Sequence, residues 1–262
     1  MSSAEVALAV EGLTVTFGGL TAVDRATFQL RSGEVLSLIG PNGAGKTTAF
    51  NAITGYVEPT GGEITYRGTR LDGLKPNAIA ALGVVRTFQK TSVFTGQTVR
   101  ENALIGLHLR SRQSPLAILL GLPSVAREEK ELVERADDLL DFVGLRARAT
   151  QVASALPYGD LRLLEVAIAL AASPNVLLLD EPVSGMNPVE TASFMKLLER
   201  IRARNVTVLL VEHDMKMVMG VSDRIVCLNH GKVIASGAPA EIQGNPEVVR
   251  AYLGERYARA QR

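Results

Sequence analysis

Three short apolar runs along the chain each end at a cluster of polar or charged residues. They cover residues 34–39, 176–179 and 206–211. Runs of this length that are rich in branched aliphatic side chains are typical of buried strands in a parallel sheet. In open α/β sheets, ligands bind beyond the carboxyl ends of such strands. The pattern therefore predicts an α/β core and draws attention to the residues that follow each run.

Alternating and helical patterns predict the other elements. Residues 13–17 alternate apolar positions with threonine, which indicates a half-buried strand, and short strands are also expected at 26–30 and 63–66. Apolar residues at helical spacing predict helices over 131–143 and 192–204. The second of these helices should bury Phe194, Leu197, Leu198 and Ile201.

The middle of the chain differs in character from both ends. Residues 90–162 contain no clear strand, and Gly144 stands where the first predicted helix should end. We interpret this section as a helical subdomain inserted into the α/β core.

The first apolar run leads directly into the phosphate-binding loop pattern G-x-x-x-x-G-K-[ST], followed by a predicted helix over 48–54 that Gly55 ends. Backbone N–H groups and the helix dipole make such a loop an anion site. Lys46 can reach the β- and γ-phosphates, and Thr47 can place its hydroxyl on Mg²⁺. A chance match is the alternative, but the strand–loop–helix context favours nucleotide binding. The expected nucleotide contacts are Gly40, Pro41, Asn42, Gly43, Ala44, Gly45, Lys46, Thr47 and Thr48.

Two carboxylates follow the second apolar run. Asp180 stands where it could hold Mg²⁺, directly or through water, and Glu181 stands where it could orient or deprotonate an attacking water. The alternative is a pair of surface residues that cap a helix, since Pro182 follows. A buried strand that ends in two acids favours the catalytic interpretation.

The third run ends at one of only three histidines. His213 should lie on the same sheet edge as Asp180 and the phosphate loop, where a neutral imidazole could hydrogen-bond a γ-phosphate or the attacking water. His108 and His230 are interpreted as structural or merely exposed, and His230 is expected in a turn between two short strands.

Composition limits the class of protein. The 262 residues include 28 Lys and Arg against 27 Asp and Glu, so no single-sign field argues for nucleic-acid binding. A single cysteine, Cys227, allows no internal disulfide and suits a reducing compartment. The first residues lack the pattern of a signal peptide, and the longest apolar stretches are far too short to span a bilayer. We therefore expect a protein that does not enter the membrane by itself.

Taken together, these motifs resemble the ATP-binding cassette (ABC) ATPases over nearly the whole chain. The resemblance implies a P-loop NTPase (RecA-like) core with an antiparallel β subdomain and the inserted helical subdomain. Within a single ATPase domain over 1–262, the expected parts are a core (1–89 and 163–240), a helical subdomain (90–162) and a C-terminal helical tail (241–262). The bound species would be ATP and Mg²⁺.

The same resemblance assigns roles to individual residues. Glu181 falls on the catalytic glutamate of the family and His213 on its switch histidine, with Lys46 as the third catalytic group. Gln89, in the run Arg-Thr-Phe-Gln, would contact Mg²⁺ and the attacking water. Phe17 would stack on adenine, although a phenylalanine in this position, taken alone, is more often part of a core.

The family signature L-S-G-G-Q falls on residues 156–160, which read Leu-Pro-Tyr-Gly-Asp. Only the leucine and the second glycine are kept, and Pro157 replaces the serine that contacts the γ-phosphate. Backbone N–H groups around Tyr158, Gly159 and Asp160 can still bind phosphate at a helix N-terminus. In the loop after the acidic strand, Asn187 replaces an aspartate, which keeps hydrogen bonding but removes a charge.

These departures, together with the C-terminal residues, are similar to the LivG type of ATPase in branched-chain amino acid importers. The resemblance implies membrane permease subunits, a second ABC ATPase subunit (the same or a different chain) and, indirectly, a substrate-binding protein as partners, and no nucleic acid. It also implies a peripheral position on the cytoplasmic face of the inner or plasma membrane. A related urea or amide importer, a soluble ABC ATPase without a transport role, and an unrelated phosphate-loop kinase stay as alternatives.

Overall fold

The protein is described here by a computed structural model that covers residues 5–87, 93–108 and 123–260. It divides into two compact units. The first comprises Met1–Arg86, Asn175–Pro182 and Thr191–Arg262, and the second comprises Thr87–Pro174 and Val183–Glu190. Within the described residues no helix is long and apolar enough to cross a membrane.

Strands occur in the first unit, and helices occur in both. The described strands are β1 Val6–Phe17, β2 Leu20–Arg31, β3 Val35–Ile39, β4 Gly61–Tyr66, β5 Thr69–Arg70, β6 Val84–Arg86, β7 Val176–Asp180, β8 Thr207–Val211, β9 Arg224–Asn229 and β10 Lys232–Gly237. The described helices are α1 Lys46–Ile53, α2 Pro76–Ala81, α3 Val99–His108, α4 Pro123–Val143, α5 Tyr158–Ala171, α6 Pro188–Ala203, α7 Met215–Val221, α8 Pro239–Gln243 and α9 Pro246–Ala260.

The six-stranded sheet of the first unit has the order β10-β9-β3-β8-β7-β6. Its strands pair in parallel except for β10, which forms an antiparallel hairpin with β9. Every residue of β3, β7 and β8 is buried, as continuous apolar strands in a parallel sheet require. The predicted strands are confirmed, and their carboxyl ends lie side by side at one edge.

A second, antiparallel sheet has the order β2-β1-β4-β5. The strands β1 and β2 are twelve residues each and form a hairpin around Gly18 and Gly19. The alternation at 13–17 predicted only the second half of β1, because Ala7, Leu8, Ala9 and Val10 are all buried and therefore show no alternation. Phe17, at the end of β1, is 51% exposed and so is not part of the core.

The second unit is built mainly from α3, α4 and α5, which pack on one another. Asn102 is fully buried in α3, accepts the N–H of Phe94 at 2.7 Å and donates to the carbonyl oxygens of Phe94 and Thr98. This buried amide ties the segment before α3 to the helix. Gln89, the residue predicted to contact Mg²⁺ and the attacking water, lies outside the described residues.

Several element boundaries differ from those predicted. Helix α1 begins at Lys46 rather than at residue 48, α4 begins at Pro123 rather than at 131, and α6 begins at Pro188 rather than at 192. Helices α4 and α6 begin with a proline, which fits the first turn of a helix because an N–H group there would have no intrahelical acceptor. The short elements β5, α2 and β6 were not predicted, because two to six residues carry too little periodicity. His230 has φ 47° in the turn between β9 and β10, as expected.

Candidate functional site

The phosphate-binding loop connects β3 to α1 and packs tightly against its own chain. A Cβ atom on Gly40 would come within 2.1 Å of the Leu228 carbonyl oxygen, and one on Gly45 within 2.5 Å of the Ala22 carbonyl oxygen. Both glycines also have positive φ, 148° and 101°. Only glycine fits under both constraints, so the loop is held in one conformation by β9 and by β2.

Lys46 lies at the start of α1 and folds back over the loop. It is 8% exposed, and its Nζ donates to the carbonyl oxygens of Gly40 at 2.7 Å and Pro41 at 2.9 Å. The neighbouring Thr47 is exposed in the first turn of the same helix. A cation and a hydroxyl at a helix N-terminus, where the dipole favours negative charge, make a site suited to phosphate.

Asp180 ends β7, at the same sheet edge as the phosphate loop. It is 3% exposed, its Oδ2 accepts a hydrogen bond of 2.6 Å from Arg86, and its Oδ1 is buried with no hydrogen-bond partner in the described structure. Burial raises the pKa of the Asp180 carboxyl, and the Arg86 guanidinium opposes that rise without cancelling it. An oriented carboxylate with one unused oxygen is a group that fits a hard cation.

Glu181 follows Asp180 in a left-handed conformation with φ 47°, and its N–H donates to the Val211 carbonyl oxygen at 2.8 Å. This turn directs its side chain, 36% exposed, towards the loop after β8. There Nδ1 of His213 lies 3.9 Å from Glu181 Oε1 and 3.8 Å from Glu212 Oε2. The structure thus brings the two predicted catalytic side chains, Glu181 and His213, next to each other.

Glu212 holds the backbone of the segment that carries His213. Its side chain is fully buried, and its Oε2 accepts the N–H groups of His213 at 3.0 Å and Asp214 at 3.3 Å. Asp214 in turn caps α7 by accepting the N–H of Met217. The segment that carries His213 is therefore anchored by two acidic side chains, while the imidazole itself is 61% exposed.

The hairpin of β1 and β2 reaches the phosphate loop at its turn end. Ala22 and Val23 of β2 lie where a Cβ atom on Gly45 would be placed, and the Asp24 N–H donates to the Gly231 carbonyl oxygen at 2.9 Å. Phe17 stands at this end of the hairpin with half of its surface exposed. An exposed ring in that place is available for stacking on a base.

The degenerate signature lies in the second unit, at the N-terminus of α5. Tyr158 is 48% exposed, accepts a hydrogen bond of 2.6 Å from Arg162 and has that guanidinium 5.0 Å from its ring centroid. Asp160 is held 2.9 Å from Arg148 in an ion pair. The side chains of Tyr158 and Asp160 are therefore engaged by arginines of their own unit.

Gly159 is buried for a reason that the sequence did not indicate. A Cβ atom at this position would lie 3.0 Å from Oε1 of Glu190. The Glu190 carboxylate also accepts the N–H of Asn187 at 2.8 Å. The Asn187 amide oxygen accepts the N–H groups of Val189 and Glu190 at 2.9 and 3.0 Å, so it caps α6 as an aspartate would.

The ABC transporter family matches residues 23–184, and the branched-chain amino acid ATP-binding cassette transporter family matches residues 232–258. The chain belongs to the ATP-binding cassette transporter family. Members that act as ATP-binding subunits of transporters are ATPases, and this cassette is an ATP-binding, ATP-hydrolysing protein of that kind.

Three curated relatives are named for branched-chain amino acid transport. The cassette is 49% identical over 249 residues to the high-affinity branched-chain amino acid transport ATP-binding protein LivG of Salmonella typhimurium, covering 95% of this chain and 98% of the relative. It is 48% identical to LivG of Escherichia coli K12, with the same coverage. It is 46% identical to BraF of Pseudomonas aeruginosa, again over 95% and 98% of the two chains.

Solved structures of cassettes have the same fold. The ADP conformation of MJ1267, an ATP-binding cassette of an ABC transporter, superimposes with a TM-score of 0.84 at 30% identity, over 96% of this chain and all of that one. A nucleotide-free cassette from an ABC transporter gives 0.83 at 30% identity, over 94% and 98%. The expected P-loop NTPase fold of the ABC cassette is therefore confirmed.

Two residues of the cassette site were not predicted. Arg86 ends a three-residue strand with no periodic signal, and Glu212 resembles an ordinary surface acid until its burial is seen. The Arg-Thr-Phe-Gln run did draw attention to this region, but for Gln89 rather than for Arg86. Within the described ranges, no group of three or more His, Cys, Asp or Glu side chains could hold a metal by itself.

Proposed function

We propose that this cassette powers the import of branched-chain amino acids by binding and hydrolysing ATP. The observation that carries the proposal is the meeting of Lys46, Asp180, Glu181 and His213 at the carboxyl ends of adjacent parallel strands, in a chain whose relatives are named for branched-chain amino acid transport. The match of residues 232–258 to the branched-chain amino acid ATP-binding cassette transporter family supports branched-chain amino acids as the substrate class. Other subunits would select the amino acid.

Each side chain has a distinct part in hydrolysis. Lys46 and the N–H groups of the phosphate loop hold the β- and γ-phosphates, and Phe17 stacks on the adenine. Glu181 orients the attacking water and accepts its proton. His213, next to Glu181, hydrogen-bonds the γ-phosphate. In phosphoryl transfer such positioning and charge stabilisation supply most of the rate gain.

We expect Mg²⁺ to bind beside the phosphate loop. Mg²⁺ prefers oxygen ligands, and it neutralises charge on the phosphates when bound. The Thr47 hydroxyl, the unpartnered Asp180 Oδ1 and the Gln89 side chain would hold it, the last lying outside the described residues. The unsatisfied buried oxygen of Asp180 supports this assignment, because an unpaired buried carboxylate oxygen is costly without a partner.

The signature segment acts on a second cassette, which is either another copy or a different subunit. Its N–H groups at Tyr158, Gly159 and Asp160 would face the γ-phosphate that the other chain holds. A site shared in this way is complete only when the two cassettes close on ATP, so closure and hydrolysis can drive the permease subunits. The division into core, helical subdomain and tail, and the position on the cytoplasmic membrane face, are part of the same proposal.

Binding to permease subunits is tested by site-specific crosslinking in the assembled complex. Cys227 is the only cysteine, is fully buried, and burial raises the pKa of its thiol to about 11, so introduced cysteines can be labelled selectively. Thr95→Cys, at an exposed position within residues 86–115, should crosslink to a permease subunit. Arg250→Cys, exposed on the C-terminal α9, should not.

The same preparation measures ATPase activity. The isolated cassette should hydrolyse ATP weakly, and turnover should rise when the permease subunits are added. Crosslinks that concentrate after Glu241, or turnover that does not respond to the permease, would contradict the proposed attachment.

A further inference from the structure

Arg86 joins three elements around the phosphate site. One terminal nitrogen donates to Asn51 Oδ1 of α1 at 2.6 Å, and the other donates to Asp180 Oδ2 of β7 at 2.6 Å. The guanidinium also lies 5.5 Å from the ring centroid of Phe50 in α1. The side chain is 9% exposed. Arg86 itself ends β6, three residues before Gln89.

This arrangement fixes which oxygen of Asp180 is available. Oδ2 is engaged by Arg86, whereas Oδ1 is buried and without a partner in the described structure. The hydrogen bond to Asn51 and the nearby Phe50 ring restrict rotation of the Arg86 guanidinium away from Asp180. The carboxylate is therefore held in one orientation before any ligand binds.

We propose that Arg86 is a positioning residue for metal-dependent nucleotide binding. By holding Asp180 Oδ2, it leaves Oδ1 as the single oxygen that Asp180 offers to Mg²⁺ or to its bound water. Arg86 also donates a hydrogen bond to Asn51, so it couples the orientation of the Asp180 carboxylate to α1, the helix that follows the phosphate loop. The inference rests on the proposed metal-binding role of Asp180.

A purely structural ion pair is the competing interpretation, and the fold provides one for comparison. Arg224 donates to Glu34 through Nε at 2.8 Å and through a terminal nitrogen at 3.1 Å, with side chains 22% and 8% exposed. Arg224 begins β9 and Glu34 precedes β3, so this pair lies at the amino ends of the parallel strands, opposite the phosphate loop. Like the Arg86 pair, it joins a guanidinium to a carboxylate, but it lies away from the phosphate loop.

The test is a Mg²⁺ titration of ATP binding by the purified full chain, with a parallel measurement in EDTA. Arg86→Met removes both hydrogen bonds but keeps an unbranched side chain of similar length. The Mg²⁺ concentration for half-maximal ATP binding should rise about tenfold or more, the effect usual for residues that orient a metal ligand. Binding of ATP in EDTA should be unchanged. Arg224→Met should leave the Mg²⁺ dependence at the wild-type value.

The outcomes separate the interpretations. An unchanged Mg²⁺ dependence in Arg86→Met would overturn the proposal, and so would tighter Mg²⁺ binding, since that would mean Arg86 competes with the metal for Asp180. An equal shift in Arg224→Met would show a general loss of stability instead. If Arg86→Met does not fold, Asn51→Ala decides, because it removes only the outer anchor. It should give a smaller rise, and no rise would overturn the inference.

Asp180→Asn distinguishes failure of this inference from failure of the proposed function. If Asp180→Asn retains the wild-type Mg²⁺ dependence, the proposed metal-binding role of Asp180 itself is wrong. If Asp180→Asn shifts the dependence and Arg86→Met does not, only the positioning role of Arg86 is lost.

Discussion

Glu181→Gln should abolish most ATP turnover in the assembled transporter while leaving MgATP binding intact. Removal of a general base commonly costs on the order of 10²-fold or more in rate. The amide keeps the size of the side chain and its place beside His213, where the Glu181 carboxylate now lies 3.9 Å from Nδ1. Only the ability to accept a proton is lost, so binding and turnover should separate cleanly.

Two measurements check this result. ATPase activity of the complex should fall, and nucleotide binding to the isolated variant should equal that of the wild type. The variant should also accumulate an ATP-bound dimer, because closure still occurs and hydrolysis no longer reopens it. Glu63→Gln, on an exposed position of β4, is the matched control and should retain full activity. A Glu181→Gln complex that turns over ATP near the wild-type rate would mean that another group activates the water.

The second large effect is expected for Gly159→Glu in the signature segment. The new side chain places bulk and negative charge at the N-terminus of α5, where a facing γ-phosphate would bind. Loss of one preorganised contact to a developing charge costs on the order of 10²-fold in rate. Nucleotide binding by the isolated variant should persist, because its own phosphate loop is unchanged. With a different cassette as partner, the damage should appear at the partner's ATP site.

The structure adds a confounding effect that the test must remove. A side chain on residue 159 starts 3.0 Å from the Glu190 carboxylate, so the variant also brings two like charges together within one chain. Gly159→Glu combined with Glu190→Gln removes that repulsion. If the facing phosphate is what matters, the double variant stays inactive. If the defect lies within the chain, its activity recovers.

A control for the added glutamate itself is Gly244→Glu. Gly244 has an ordinary φ of −88°, and a Cβ atom there meets only the Ala240 carbonyl oxygen at 3.8 Å. This variant should be fully active. Gly159→Glu with wild-type turnover would mean that residues 156–160 do not form a signature. Lost nucleotide binding in the isolated variant would indicate misfolding or a site contained in one chain.

The core of the site could be predicted because its signals are local. A buried strand, a glycine loop and a helix start are adjacent in the chain, and the acids and His213 follow strands whose apolar runs are continuous. Strands buried on both faces are typical of a parallel sheet, and parallel pairing places the carboxyl ends of β3, β7 and β8 at one edge. The approach of Glu181 to His213 therefore follows from the pattern.

What could not be predicted depends on contacts between distant residues. Arg86 is 35 residues from Asn51 and 94 from Asp180 in the chain, and no local pattern reports such separations. The contact between Gly159 and Glu190 is also between distant parts of the chain. The sequence suggested that a facing nucleotide requires a glycine at residue 159, whereas the Glu190 carboxylate of the same chain already occupies the space that a side chain would need. For Phe17 the local pattern was misleading: the alternation that predicted its strand also suggested a core position, but the ring is exposed.

If ATP hydrolysis at Glu181 drives branched-chain amino acid transport, uptake of a branched-chain amino acid must depend on this carboxylate. The measurement is ATP-driven uptake of radiolabelled leucine into proteoliposomes that contain this cassette, its permease partners and the substrate-binding protein. We predict uptake with the wild-type cassette and none above background with Glu181→Gln, although both complexes bind ATP. Leucine uptake that is equal in the two preparations, or absent in the wild type while ATP is hydrolysed, would contradict the account.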